Sequence, residues 1–147
     1  MKTLVTKNIT QIQQHQAIHA HMRYLISAIG RLDIQLCLHI ADSNSLKNRI
    51  TLYRWSLFDF REAIRRDIEL HQRFFLDNLL LKDIISKNKE ILEQINDAIV
   101  LAENAFCDKI LREELNVILV KINLAVNKIC ESIKLNMIRE DELVKKP

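Results

Sequence analysis

The stretch YRWSLFDFREAIRRDIELHQRFFLDNLL, Tyr53 to Leu80, decides how the rest of the chain is read. With Ile50 ahead of it, Tyr53, Leu57, Phe60 and Ile64 recur three and four residues apart, the spacing of one face of an α-helix. The next two positions in that count are Asp67 and His71, after which Phe74 restores the apolar line. A carboxylate and an imidazole, one turn apart, stand where the pattern calls for core residues. Burying such groups is costly unless they are paired, hydrogen-bonded or bound to a metal.

Working outward, the same periodicity extends over most of the 147 residues. Gly30 and Pro147 are the single glycine and the single proline, so Gly-dependent turns and phosphate loops are excluded and an all-helical chain is expected. A first helix runs from about Ile9 to Ile40, capped by Asn8 or Thr10, with Ile12, Ile18, Met22, Leu25, Ile26, Ile29, Leu32 and Leu36 inward and Gly30 open to close approach by a neighbour. The polar run Ala41 to Ser45 reads as a turn, and a second helix extends from about Leu46 to Leu81. Asp83, Ser86 and Asn88 offer caps, which places the next turn within 82–88. Helix three follows, with Ile91, Leu92, Ile95, Ile99 and Ala102 inward; a connection at 104–108 leads to Asp108 as N-cap of helix four. Leu111, Leu115, Ile118, Ile122, Ala125 and Ile129 give that helix a heptad stripe. Short connections between long helices predict one domain, an up-down-up-down antiparallel four-helix bundle, with ends that fray over about 1–8 and 140–147. The structural rival is a long helical hairpin that completes its core by dimerising.

Composition narrows the function classes. Charged residues are 28% and apolar ones 48% of the chain, too apolar for general disorder. The net charge of +3 does not form a one-sided field, because Asp59, Glu62, Asp67 and Glu69 interleave with Arg61, Arg65, Arg66 and Arg73; no nucleic-acid partner is expected. Cys37, Cys107 and Cys130 are odd in number and lack CxxC spacing, as buried free thiols of a reducing compartment do. No signal-peptide pattern or apolar run of bilayer length occurs, so a cytoplasmic location without membrane contact is expected. GxSxG, P-loop, HExxH and ExxH motifs are all missing, and the chain is expected not to be an enzyme. Asn116, Asn123 and Asn127 beside the helix-four stripe read as register or boundary groups, and Trp55 as core or core-edge packing.

Helix one also interrupts its stripe. His15 and His19, four residues apart, project from one face between Ile12 and Met22, whereas His21 points elsewhere and His39 lies near the turn. Folding the two helices back about Ser43 brings His15 level with His71 and His19 level with Asp67. Three imidazoles and a carboxylate at one height form a ligand set for a divalent metal such as zinc or iron, or else a hydrogen-bonded polar cluster.

These two helices resemble the hemerythrin-like, or HHE cation-binding, bundles. QIQQHQAIHAHMRYLISAIGRL is similar to their opening pattern, an early histidine followed by an I/L-rich run, and LFDFREAIRRDIELHQRFF to their second helix, where HxxxE precedes an aromatic pair. On that comparison His15 matches the first-helix ligand, while Asp67 and His71 exchange the order, DxxxH for HxxxE. The family's later histidines have no counterpart after His71; Glu93, Gln94, Asn96 and Asp97 on helix three and Glu113, Glu114 and Asn116 on helix four are polar without reproducing the motif. The resemblance thus implies a non-enzymatic metal-binding bundle (a sensor, carrier or store of non-haem iron or zinc). Its altered single-ion site would lie between helices one and two and use His15, His19, Asp67 and His71. The alternative is a metal-free bundle that binds a protein partner or a second copy of itself.

Overall fold

A computed structural model describes residues 2–38, 42–74, 79–107 and 109–145, with side chains over 11–32, 42–72, 81–107 and 109–142. Four helices, α1 (Lys2–Leu38), α2 (Ser43–Phe74), α3 (Leu79–Glu103) and α4 (Arg112–Lys145), are joined by short connections, the last containing a 3₁₀ turn at Asn104–Phe106. Each helix packs on its sequence neighbours, α1 meets α4 to close the ring, and α2 also reaches α4 across the diagonal. This is the antiparallel four-helix bundle that the periodicity predicts. No helix among the described residues is long and apolar enough to cross a membrane.

Each stripe builds one wall of the core. Leu46, Ile50, Tyr53, Leu57, Phe60 and Ile64 of α2 are buried, as are Ile91, Ile95, Ala98 and Ala102 of α3 and Met22, Leu25 and Ile29 of α1. On α4 the buried row is Leu115, Leu119, Ile122, Val126, Ile129 and Ile133. The expected stripe shares Leu115, Ile122 and Ile129 with it; Ile118 and Ala125 lie at the core edge, and Leu111 is exposed. Both rows alternate four and three; the buried one takes Leu119 and Val126 in place of Ile118 and Ala125, so the inward face is turned slightly from the expected one. The hydroxyl of Tyr53, buried with its ring, accepts a hydrogen bond from Asn123 Nδ2 at 3.0 Å, and Asn127 in turn donates to Asn123 Oδ1 at 3.0 Å.

The connections explain most departures from expectation. Asp42 caps α2: its Oδ1 accepts from the Ser45 N–H at 2.8 Å and its carbonyl from the Leu46 N–H at 3.0 Å, so the helix begins before Leu46. The turn expected at 82–88 lies inside α3, and α2 ends at Phe74 rather than Leu81. Asn88 is not a cap but a buried position of the α3 stripe, in line with Leu81, Ile84, Ile91 and Ile95. The Asp108 cap lies outside the described residues; α4 starts later, at Arg112, and Lys109 takes the left-handed region at φ 64° in a connection that has no glycine to offer. Arg54 stacks on Phe58 and Phe106, 5.3 and 5.6 Å from the ring centroids, and pairs with Glu103 at 3.7 Å, fastening the 3₁₀ turn to α2. Trp55 is exposed rather than core, Cys107 is exposed while Cys130 is buried, and a Cβ on Gly30 would meet no atom of another helix within 4 Å among the described residues, so no close helix approach there depends on it. Helix α1 begins at Lys2, ahead of the Asn8 or Thr10 cap, and α4 continues through 140 to Lys145. His39 and the side chain of Cys37 lie outside the described residues.

Candidate metal centre

The buried polar side chains among the described residues are Gln11, His15, His19, Asp67, His71, Asn88, Asn136 and Glu140. They all fall at the end of the bundle where α1 and α3 begin and α2 and α4 end. Antiparallel packing brings them to one height, and every helix contributes through positions of its own buried stripe. His15 and His19 are 2% and 1% exposed, Asp67 and His71 0%, and Glu140 1%, so the cluster is sealed from solvent.

His15, His19, Asp67 and Glu140 are positioned to hold a metal ion: each offers one ligand atom, and these atoms lie within 4.8 Å of one another. Two imidazole nitrogens and two carboxylate oxygens suit a borderline divalent ion. The four residues named from sequence do converge, their rings and carboxylates in contact: His15 and His19 have ring centroids 3.9 Å apart, and His15 and His71 5.7 Å. His71 Nε2 lies 3.4 Å from Asp67 Oδ1 and 3.6 Å from Glu140 Oε2. The tightest set nevertheless takes Glu140 as its fourth member, with His71 standing against the two carboxylates. The site is therefore not confined to α1 and α2, because α4 closes it and α3 supports it.

Contacts outside that set orient it. His15 Nε2 donates to Asp141 Oδ1 at 2.9 Å, which leaves its Nδ1 as the lone-pair nitrogen, buried and without a hydrogen-bond partner among the described residues. His19 Nε2 donates to Glu140 Oε2 at 2.5 Å, and its Nδ1 lies 3.2 Å from Asp141 Oδ1. Asp141 itself is half-exposed and faces Arg23 at 3.7 Å. Asn88 Nδ2 donates to Asp67 Oδ2 at 3.0 Å and to Glu140 Oε1 at 3.1 Å. Asp67 Oδ1 is buried and has no hydrogen-bond donor among the described residues. Orphaned acceptors of this kind, a carboxylate oxygen and an imidazole nitrogen in one cluster, match what a cation would satisfy.

Burial sets much of the electrostatics. It drives the Asp67 carboxyl up to about 7, helped by the neighbouring Glu140. On His71 burial opposes the charge, but the Asp67 and Glu140 carboxylates outweigh it and hold the imidazole up at about 9. Glu140 is likewise pushed up by burial, yet the hydrogen bond from His19 and the His71 imidazole beside it prevail and hold it far below the usual carboxylate range. Burial lowers His15, against the Asp141 hydrogen bond, and favours the neutral ring that a metal needs.

Sequence reasoning missed Glu140, Asp141, Asn88 and Asn136. Glu140 sits in a charged tail, REDELVKKP, that reads as a fraying end. It nonetheless continues the four-and-three count of the buried α4 row: Ile122, Val126, Ile129 and Ile133 lead on to Asn136 and Glu140. No protein-family model, curated protein or solved structure matches the chain.

Proposed function

We propose that this protein is a non-enzymatic metal-binding bundle that holds one divalent ion, zinc or ferrous iron, through His15, His19, Asp67 and Glu140, and serves as a sensor, carrier or store. The observation that carries this reading is the convergence of four buried ligand atoms within 4.8 Å from three helices. Closure supports a non-catalytic role, since the four ligand residues are no more than 2% exposed, as in structural rather than open metal sites. The likeness of α1 and α2 to hemerythrin-like bundles favours iron, while the two-histidine, two-carboxylate set with no second ligand cluster among the described residues favours a single ion. His71 acts beside the ligands as a charge partner, its Nε2 3.4 Å from Asp67 Oδ1 and 3.6 Å from Glu140 Oε2. Elemental analysis of protein purified without an affinity tag, followed by zinc and ferrous-iron titration, tests the reading. One equivalent of metal, with proton release as the ion binds the Asp67 carboxyl that burial holds up at about 7, is the expected result.

A second reading, a metal-free module that associates with a partner or with itself, draws on an outward row of α4. Val117, Val120, Leu124, Leu135 and Ile138 are each more than half exposed. Failure of both metals to bind, together with a dimer in sedimentation, favours that alternative.

A further inference from the structure

Asn88 is the α3 side chain inserted into the polar cluster, and its amide is held at both ends. Its Nδ2 donates one proton to Asp67 Oδ2 at 3.0 Å and the other to Glu140 Oε1 at 3.1 Å. Its Oδ1 accepts from Asn136 Nδ2 at 2.6 Å, and Asn136 Nδ2 also donates to the Ile84 carbonyl at 3.2 Å. Because Asn136 presents an N–H₂ group to it, the Asn88 oxygen must face Asn136, and the Asn88 nitrogen must face the carboxylates. Both amides are buried, at 1% and 4% exposure, so water does not compete for these bonds.

The consequence is a division of labour within each carboxylate. One oxygen of each acid is tied to Asn88, and the other, Asp67 Oδ1 or Glu140 Oε2, lies on the histidine side, 4.0 Å and 2.5 Å from His19 Nε2. Bidentate chelation requires a carboxylate to turn until both oxygens are equally close to the ion, which pulls it off the Asn88 amide. We infer that Asn88, locked by Asn136, is a positioning residue that keeps Asp67 and Glu140 monodentate and thereby selects a four-coordinate borderline ion over a hard ion such as calcium. Calcium takes six to eight oxygens and gains from bidentate acids, whereas zinc is satisfied by four ligands. This inference rests on the proposed single-ion reading of the same cluster.

Cobalt(II) loading of the full chain tests it, since tetrahedral cobalt absorbs strongly in the visible and five- or six-coordinate cobalt weakly. The parent protein is expected to give the intense spectrum and to prefer zinc over calcium. Asn88→Leu should weaken the bands and lower zinc affinity roughly 10–100-fold, with a smaller zinc-over-calcium preference. Asn136→Leu, which frees the Asn88 amide without touching a carboxylate, should move both readouts the same way by less, and it decides the matter if Asn88→Leu does not fold. Variants that bind cobalt with the parent spectrum and the parent preference overturn the inference and leave the metal site standing. A parent protein that binds neither cobalt nor zinc overturns both.

Discussion

The two halves of the bundle are built on the same heptad and filled in opposite ways. Around Ile50, Tyr53, Ile122 and Val126 every inward position is apolar and the one hydroxyl is satisfied by Asn123. Around His15, Asp67, Asn88 and Glu140 ionisable and amide groups share the interior with apolar residues such as Ile84 and Met137, and one carboxylate oxygen has no hydrogen-bond donor among the described residues. The first half stabilises by removing hydrocarbon from water and needs nothing further. The second half places ionisable groups out of water, and its free energy depends on the cation or protons that it holds.

Mutation of the apolar half should therefore have the largest effect. Ile122, 0% exposed, is central to the core, and Ile122→Ala should cost about 2–5 kcal/mol in a denaturant melt. A loss below about 1 kcal/mol would mean that this layer is not what holds the bundle together.

Asp67→Asn should behave differently, because it keeps the shape and the Asn88 contact while removing the buried charge. Without metal its melting temperature should equal or exceed that of the parent. With zinc at about a hundred times the dissociation constant, the parent should gain about 2.7 kcal/mol and the variant almost none. A variant that still gains fully would put the ion elsewhere.

The polar half should also answer to pH. The His71 pKa is raised from 6.5 to about 9, so its contribution is fully present below pH 6.5 and is lost as pH rises through 9. Asp67, raised to about 7, acts in the same direction at the lower edge of that window, while Glu140 and the lowered His15 make their demands at more acid pH. Metal-free protein should thus lose on the order of 1–3 kcal/mol between pH 6.5 and 9, and His71→Gln should flatten the slope. Stabilisation by added zinc should grow over the same range, because the ion binds the deprotonated groups. A metal-free melting curve that rises with pH would contradict the charge assignment of His71.

The smallest effect belongs to neither half's interior. Gly30→Ala places a methyl where no atom of the described residues outside its own helix backbone lies within 4 Å, on an exposed helical position, and should stabilise by about 0.5–1 kcal/mol in thermal melts. Destabilisation there would reveal a neighbour that packs on α1.

How much could be read in advance depended on what surrounded each residue. Asp67 and His71 were legible because five apolar positions preceded them in an unbroken count, and His15 and His19 because they share a face with Ile12 and Met22. Asn88 was misread, since asparagine favours caps and turns and two other capping residues stood near it. Glu140 was hidden by its acidic and basic neighbours, although the α4 row leads directly to it.

Local pattern alone determined the four-helix plan, most of the apolar faces and the height at which polarity enters α1 and α2, because periodicity is a property of residues a few positions apart. The tertiary structure decided which groups meet: His19 reaches Glu140 from 121 residues away, and Asn88 bridges acids on α2 and α4. A ligand set is a matter of distances across helices. Those depend on rotation and register, which packing of all four stripes sets together.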